Sequence, residues 1–397
     1  MTSNIQFIRL AIVSSHPIQY NAPLFKLLSQ RKDHTVKVFY SWKGTEDQND
    51  PEFDEKITWD IPLLTGYEYS FIDNRAKDPG THHFYGLDNP SMVAEIEHWG
   101  ANAVLVYGWA FKTHLSVLRH FHGRVPVFFR GDSTLLTGGN LIRRLFRKIW
   151  LNWVYSHIDV AFYPGKHSKN YFLAYGLPLD KLCHVPHSVD NNRFSKNALT
   201  LEAKALQKRK QLGIPDDSLV LLFAGKLVSH KQPILLLQVA QELVQLEKYN
   251  IHLIFVGSGP LKKRMLALSK GSDYIHFLGF RNQTDMPLLY RLGDIYVLPS
   301  VSETWGLGVN EAMACSRAVL VSDKVGCAPD IVKPKVSGEI FSAGNKDNLT
   351  NIIREYYDNR MALIDMRRKA YVLIQQWSVE KAVKLLGDHI LDQSRRP

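Results

Sequence analysis

Glu303 and Glu311 are separated by seven residues and stand on either side of a glycine-containing turn, in the run Pro299-Ser-Val-Ser-Glu-Thr-Trp-Gly-Leu-Gly-Val-Asn-Glu-Ala312. Gly306 and Gly308 let a backbone come close to a ligand. A helix opening at that turn aims its free N–H groups and the positive end of its dipole outward, which suits a diphosphate. Carboxylates to either side can accept hydrogen bonds from hydroxyls. A sugar and a ribose offer such hydroxyls at opposite ends of a nucleotide-sugar diphosphate, so one turn can hold both halves of an activated sugar. The same run also reads as a strand, a loop and an amphipathic helix carrying two surface acids.

Cations follow a second apolar run. Leu221-Leu222-Phe223-Ala224-Gly225-Lys226 continues through Leu227 to Lys231 and Pro233, and two ammonium groups before a helix can neutralise a diphosphate without a metal ion. Solvated loop lysines would look the same. Val256-Gly257-Ser258-Gly259-Pro260 is a tight strand-to-helix turn of a kind common in dinucleotide folds, and is weak evidence by itself. In the first half, His16 follows the strand-like run Ile8–Ser14, as a donor to phosphate or hydroxyl or as a strand-ending histidine bound to a carbonyl. Tyr107 and Trp109 end another run and can shape a sugar pocket. Arg130 and Asp132 end a third, either addressing an acceptor or closing the loop as an internal pair. His114, further into a helical pattern, reads as structural.

These residues need elements to hold them. Apolar β-rich runs alternate with helical patterns, which predicts two parallel, doubly wound α/β sheets. The expected strands are Ile8–Ser14, Val36–Tyr40, Ala103–Val106, Val125–Phe129 and Val160–Tyr163, then Leu219–Ala224, His252–Val256, Ile275–Leu278, Ile295–Leu298 and Ala318–Val321. A polar, charged stretch from Asp190 to Asp217 reads as a connecting helix and linker. Two facing domains would make a cleft at the carboxyl ends of the strands.

Composition sets limits on function. With 397 residues and 45% hydrophobic content, the chain can bury two sizeable cores. Its net charge of +11 is uneven: residues 1–190 hold 20 Lys+Arg against 18 Asp+Glu, and residues 191–397 hold 29 against 20. No zinc-finger spacing, basic zipper or aromatic RNP segment accompanies the excess, so a phosphorylated ligand explains it better than nucleic acid. Cys183, Cys315 and Cys327 lie far apart without metal-ligand spacing, as core thiols in a reducing compartment such as the cytoplasm. Phe7–Ser15 is too short for a membrane span and lacks a signal-cleavage pattern.

Taken in order, Phe-Ala-Gly-Lys-Leu with Lys231, Val-Gly-Ser-Gly-Pro, Leu278-Gly279-Phe280, and Leu298-Pro299-Ser300 leading to the two glutamates resemble the family 4 glycosyltransferases, whose E-x7-E pattern Glu303 and Glu311 match. The likeness is strong from Leu219 to Val332, moderate at Val185-Pro186-His187-Ser188-Val189-Asp190, and thin before that. It implies the GT-B architecture, with residues 1–195 as the acceptor-side domain, 196–377 as the nucleotide-sugar domain, and a final helix over 378–394, opened by Trp377 and Ser378, crossing back. It implies a retaining transfer from a nucleotide sugar. By that likeness Lys226 and Lys231 contact the diphosphate, Glu311 the ribose, and Glu303 with the amides at Gly306 and Leu307 the sugar; Gly225, Gly257 and Thr304 complete the donor set. Catalytic roles fall to Glu303, Lys231, Lys226 and His16.

The chain also departs from that pattern. Lys226 stands where an arginine is common, keeping the charge without the bidentate fork. Ser14-Ser15-His16 replaces a glycine pair, and no histidine ends the Val104–Tyr107 run. No residue presents itself as the nucleophile that a double displacement would need, so the resemblance favours a same-face path with the departing phosphate taking the acceptor proton. No Asp-x-Asp triplet occurs, so no cofactor and no obligatory divalent metal are expected. Two alternatives remain open: a nucleotide-sugar epimerase of the same architecture, and a non-catalytic binding subunit.

Residues 140–153 read as a basic amphipathic helix with Ile142, Leu145, Phe146, Ile149 and Trp153 on one face. That face suits either an anionic membrane surface, in an enzyme with a glycan or lipid-linked acceptor placed peripherally on the inner face of the cytoplasmic membrane, or packing against the first sheet.

Overall fold

The computed structural model describes residues 7–44, 49–50, 55–56, 58–136 and 141–394. Among them the strands are β1 (Ile8–Ser14), β2 (His34–Tyr40), β3 (Asn49–Asp50), β4 (Glu55–Lys56), β5 (Glu68–Phe71), β6 (Ala103–Tyr107), β7 (Val127–Arg130), β8 (Val160–Tyr163), β9 (Leu182–His184), β10 (Leu219–Ala224), β11 (Ile251–Val256), β12 (Ile275–Phe277), β13 (Ile295–Leu298), β14 (Ala318–Ser322) and β15 (Gly338–Phe341). The chain forms two units. One comprises Met1–Glu46, Pro62–His187 and Val379–Pro397; the other comprises Asp47–Ile61 and Ser188–Ser378.

In the first unit a parallel sheet runs β5-β2-β1-β6-β7-β8-β9. The order reverses between β1 and β6, where connections leave to opposite faces and open a crevice at the strands' carboxyl ends. Alternation along β1 divides its side chains. Ala11 and Val13 join Val104, Val106 and Phe129 in one core, and Leu10 and Ile12 join Leu105 and Phe128 in another. The chain's final helix, Val379–Ser394, sets Val379, Ala382, Val383, Leu386 and Ile390 into the second of these cores, beside helix Ala22–Ser29. That spacing of three and four residues makes the apolar stripe of a surface helix.

The second unit repeats the plan with the order β12-β11-β10-β13-β14-β15, reversing between β10 and β13. All six residues of β10 are buried, as a strand covered on both faces requires. Asp294 fixes the register at the amino ends: its Oδ2 accepts from the Val220 amide at 2.9 Å and its Oδ1 from Arg209 at 3.0 Å. Burial works to raise this carboxyl's pKa, but the charges of Arg209 and Arg367 outweigh it and hold the group below the usual range.

The chain changes unit between His187 and Ser188. Buried Arg130 explains the position, since its guanidinium donates to the Val185 and Pro186 carbonyls at 3.1 and 3.2 Å and keeps that segment on the first sheet. Three strands of the two large sheets, β5, β9 and β15, and the two-residue pair β3 and β4 lie outside the runs read from the sequence. Each is short, and Glu68-Tyr-Ser-Phe71 and Gly338-Glu-Ile-Phe341 lack a continuous apolar run; β5, β9 and β15 are edge strands, which need burial on fewer sides.

Candidate functional site

At the β10/β13 reversal, the two carboxyl ends deliver Gly225-Lys226 and Pro299–Glu303 side by side. The β10 turn is stitched to the turn after β11 by backbone bonds, Gly225 N to Val256 O at 2.9 Å and Leu227 N to Ser258 O at 2.8 Å. Gly257 sits at φ +136°, and a Cβ there would lie 2.0 Å from the Gly225 carbonyl oxygen. Only glycine permits that approach. The next turn, Ser229–Lys231, is tied to the loop after β13 by Val301 N donating to His230 O at 2.8 Å. Lys226 and Lys231 are both half-buried, and the Lys231 Nζ lies 2.5 Å from Glu303 Oε2.

Glu303 is held from both sides. Its amide donates to the Lys324 carbonyl at 3.2 Å, and its own carbonyl accepts from Gly326 at 3.0 Å. Trp305 is buried, and its indole N–H donates to Asn310 Oδ1 at 3.0 Å. Gly306 then turns the chain at φ +95° as the residue before helix Leu307–Ala314. Thr304 is exposed and Leu307 half-buried at this turn. Gly308 has another role: a Cβ on it would lie 2.5 Å from the Tyr296 hydroxyl, so its missing side chain makes room for a tyrosine.

Glu311 lies one turn into the helix and is buried, with the Tyr290 hydroxyl donating to its Oε2 at 2.6 Å. Tyr296 lies between the functional pieces, donating to the Ala224 carbonyl at 3.2 Å. Burial, followed by the charges of Glu303 and Glu311, pushes its phenol well above the ordinary value. Both glutamates therefore act on one buried ring. Cys327 behaves alike, raised by burial and then by Glu303.

In the first unit, the β1/β6 reversal brings His16 and Tyr107 to neighbouring strand ends. The His16 Nδ1 lies 3.0 Å from the Ser15 hydroxyl, the ring meets Trp42 edge-on at 5.8 Å, and burial lowers its pKa. Tyr107 packs edge-on against Phe25 at 5.5 Å, and burial pushes its phenol up to about 12. Trp109 rests partly buried against the core. Arg130 gives its donors to carbonyls, and His187 is what faces Asp132, Nε2 to Oδ2 at 3.7 Å. For Asp132, burial works to raise the pKa but the hydrogen bond and charge of His187 win, leaving it lowered. His187 itself is lowered by burial. The sequence signal for His187 was its place inside Val185–Asp190, the stretch of moderate family likeness. Tyr290 carried no such signal, since it lies in a short helix 21 residues from Glu311. His114 is buried with its Nδ1 3.1 Å from the Gly108 carbonyl, a structural role.

Among the described residues, the group able to hold a metal is Asp78, His82 and His83 on an exposed loop after β5. No candidate donor-site residue belongs to it.

Residues 205–372 match the family model described as glycosyl transferases group 1. An uncharacterized glycosyltransferase of Methanocaldococcus jannaschii is 32% identical over 178 residues, covering 44% of this chain and 44% of that protein. The alpha-galactosylglucosyldiacylglycerol synthase of Streptococcus pneumoniae is 23% identical over 223 residues, covering 54% and 56%. The matches thus span about half the length of these curated relatives. The crystal structure of Anabaena HepE in complex with UDP superposes with a TM-score of 0.75 over 97% of this chain and 100% of that one, at 16% identity. With parallel sheets of seven and six strands, the fold is GT-B.

Proposed function

We propose that this chain, which carries a group 1 glycosyl transferase domain over residues 205–372 of a GT-B fold, moves a sugar from a nucleotide-sugar donor to a glycan or lipid-linked acceptor in cell-surface polysaccharide or glycolipid synthesis. The observation that carries this reading is the Lys231–Glu303 pair, set at a sheet reversal beside the start of helix Leu307–Ala314. A cation, a carboxylate and free helix amides within one loop cluster match a sugar diphosphate group by group. Lys226 and Lys231, with the amides at Gly306 and Leu307, take the diphosphate. Glu311 takes the ribose, Glu303 the transferred sugar, and Gly225, Gly257 and Thr304 shape the backbone around them.

The reaction retains the anomeric configuration. The bond from the anomeric carbon to the diphosphate oxygen breaks as the bond to the acceptor oxygen forms on the same face, and the acceptor's proton passes to the departing phosphate. Lysine charge and helix amides stabilise the growing phosphate charge, so no divalent metal is obligatory. His16, Tyr107, Trp109 and the Asp132–His187 pair serve the acceptor, with Arg130 holding the segment that carries His187. The synthase of Streptococcus pneumoniae, named for a glycosylated diacylglycerol, supports a lipid-borne acceptor, and in this proposal the chain sits peripherally on the inner face of the cytoplasmic membrane.

The test is a screen of nucleotide sugars for thermal stabilisation, because a donor that binds only the folded state raises stability by mass action. Product analysis of the donor that stabilises then follows. Transfer with an unchanged anomeric configuration supports the proposal. Epimerised sugar formed from donor alone would give the site to an epimerase, and stabilisation without turnover to a binding subunit.

A further inference from the structure

Helix Leu141–Tyr155 has two unlike ends. At its carboxyl end Leu151, Val154 and Tyr155 are buried in the core on the Ala11 and Val13 face of the first sheet. From Ile142 to Trp150, every side chain is exposed. At ~100° per residue, Leu145, Phe146, Ile149 and Trp153 fall on the side opposite Leu151, so the apolar stripe seen in the sequence turns away from the sheet. Packing against the sheet, one of the two readings of that stripe, is not what forms; Asn140 lies outside the described residues. Leu145, Phe146 and Ile149 are 62 to 70% exposed, and Trp150 and Trp153 are 40% exposed with ring centroids 5.0 Å apart. A contiguous apolar face of this kind marks an interaction surface.

Charge selects what covers it. Arg143, Arg144, Arg147 and Lys148 surround the stripe, and no acid occurs from residue 133 to residue 158. Arg119 adds a further cation, over the Trp153 ring at 5.5 Å. A second copy of the chain, meeting this face with its own two-fold related face, would set these cations against one another. An anionic lipid surface fits both features: phosphate headgroups meet the guanidinium and ammonium groups, the tryptophans take the interfacial level, and the phenylalanine, leucine and isoleucine enter the acyl boundary.

We infer that helix Leu141–Tyr155 docks the first unit onto an anionic phospholipid surface, lying in the interface plane with Leu145, Phe146 and Ile149 inserted. The inference stands on this helix alone and does not depend on the transfer reaction.

Sedimentation of the full chain with phosphatidylcholine vesicles, with and without phosphatidylglycerol, tests it. The chain should bind only the anionic vesicles and be released at high salt. Each basic residue near such a surface adds roughly fivefold in binding, so Arg143→Glu with Lys148→Glu should weaken it by at least about a hundredfold. Phe146→Ser with Ile149→Ser should weaken it by about tenfold or more while leaving the melting temperature unchanged. The wild-type chain failing to sediment with anionic vesicles would overturn the inference. So would a dimer in solution that dissociates on Phe146→Ser, which would assign the face to a second copy. A marked fall in melting temperature of the serine variant would show the face packed within the protein, and would overturn it equally.

Discussion

The Lys231 Nζ lies 2.5 Å from Glu303 Oε2, although 72 residues separate them in the chain. The pair is mostly shielded from water, with both side chains under one-fifth exposed. An ammonium held against a carboxylate at a helix start is already oriented when an anionic ligand arrives. Its loss leaves the carboxylate without that cation, which is why removing one partner of such a pair is felt more strongly than its net contribution suggests.

Lys231→Ala is therefore expected to lower kcat by about a hundred- to a thousandfold, the size associated with losing one contact to developing transition-state charge. Lys231→Arg should recover part of the rate. Steady-state transfer assays decide it, and an unchanged kcat in the alanine variant would remove Lys231 from the reaction.

Glu311 is fixed by the Tyr290 hydroxyl at 2.6 Å, so Tyr290→Phe should loosen the carboxylate without touching the ligand. The expected result is a donor KM raised by roughly tenfold with kcat little changed, in line with about 1.4 kcal/mol for one buried hydrogen bond to a charged group. Glu311→Ala should raise it further. Equal donor affinity in both variants and the wild type would take the ribose away from Glu311.

Two glycines with positive φ separate close packing from backbone strain. Gly257→Ala meets the Gly225 carbonyl at 2.0 Å, whereas Gly279 at φ +70° has nothing within 4 Å of an added Cβ. Gly279→Ala should cost about 1–2 kcal/mol of left-handed strain, and Gly257→Ala clearly more, because the β10 turn must also move. Urea unfolding measures the difference; equal losses would contradict the packing between those two turns.

Burial lowers the His114 pKa to about 4 from an ordinary value of 6.5. The unfolded state binds the proton more readily in that window, so stability should fall as pH drops from about 6.5 towards 4, by up to about 3 kcal/mol from this group. Above pH 6.5 both states are neutral and the contribution is flat. Unfolding midpoints of the wild type and His114→Asn across this range should converge at low pH. Parallel curves would show that the site does not resist protonation.

Transfer should proceed at the same rate with and without EDTA, since two lysines and helix amides take the place of a metal at the diphosphate. Activity abolished by the chelator and restored by manganese would reverse that proposal.

Much of the fold was legible because its causes are local. Short apolar runs such as Leu219–Ala224 and Ile295–Leu298, closed by turn residues, read as buried strands, and Gly-Lys and Gly-Ser-Gly after such runs mark the turns that follow. The edge strands β5 and β9 escaped because a strand with partners on one side needs little apolar pattern. In the candidate site, Glu303, Glu311, Lys226 and Lys231 were visible as types and spacings. Tyr290, which donates to Glu311, was not, because it stands in no pattern that periodicity detects.

The amino-acid sequence by itself determined the alternation of strands and helices, the glycines at the tight turns, and the presence of an apolar stripe on a basic helix, all of which follow from neighbours within a few residues. Only the tertiary structure decided that Lys231 meets Glu303, that Arg130 clasps the Val185 and Pro186 carbonyls while His187 faces Asp132, and that the stripe at 145–153 turns outward. The reason is physical. Periodicity states which side chains share a face, but what that face meets depends on sheet order and packing, which join residues dozens of positions apart.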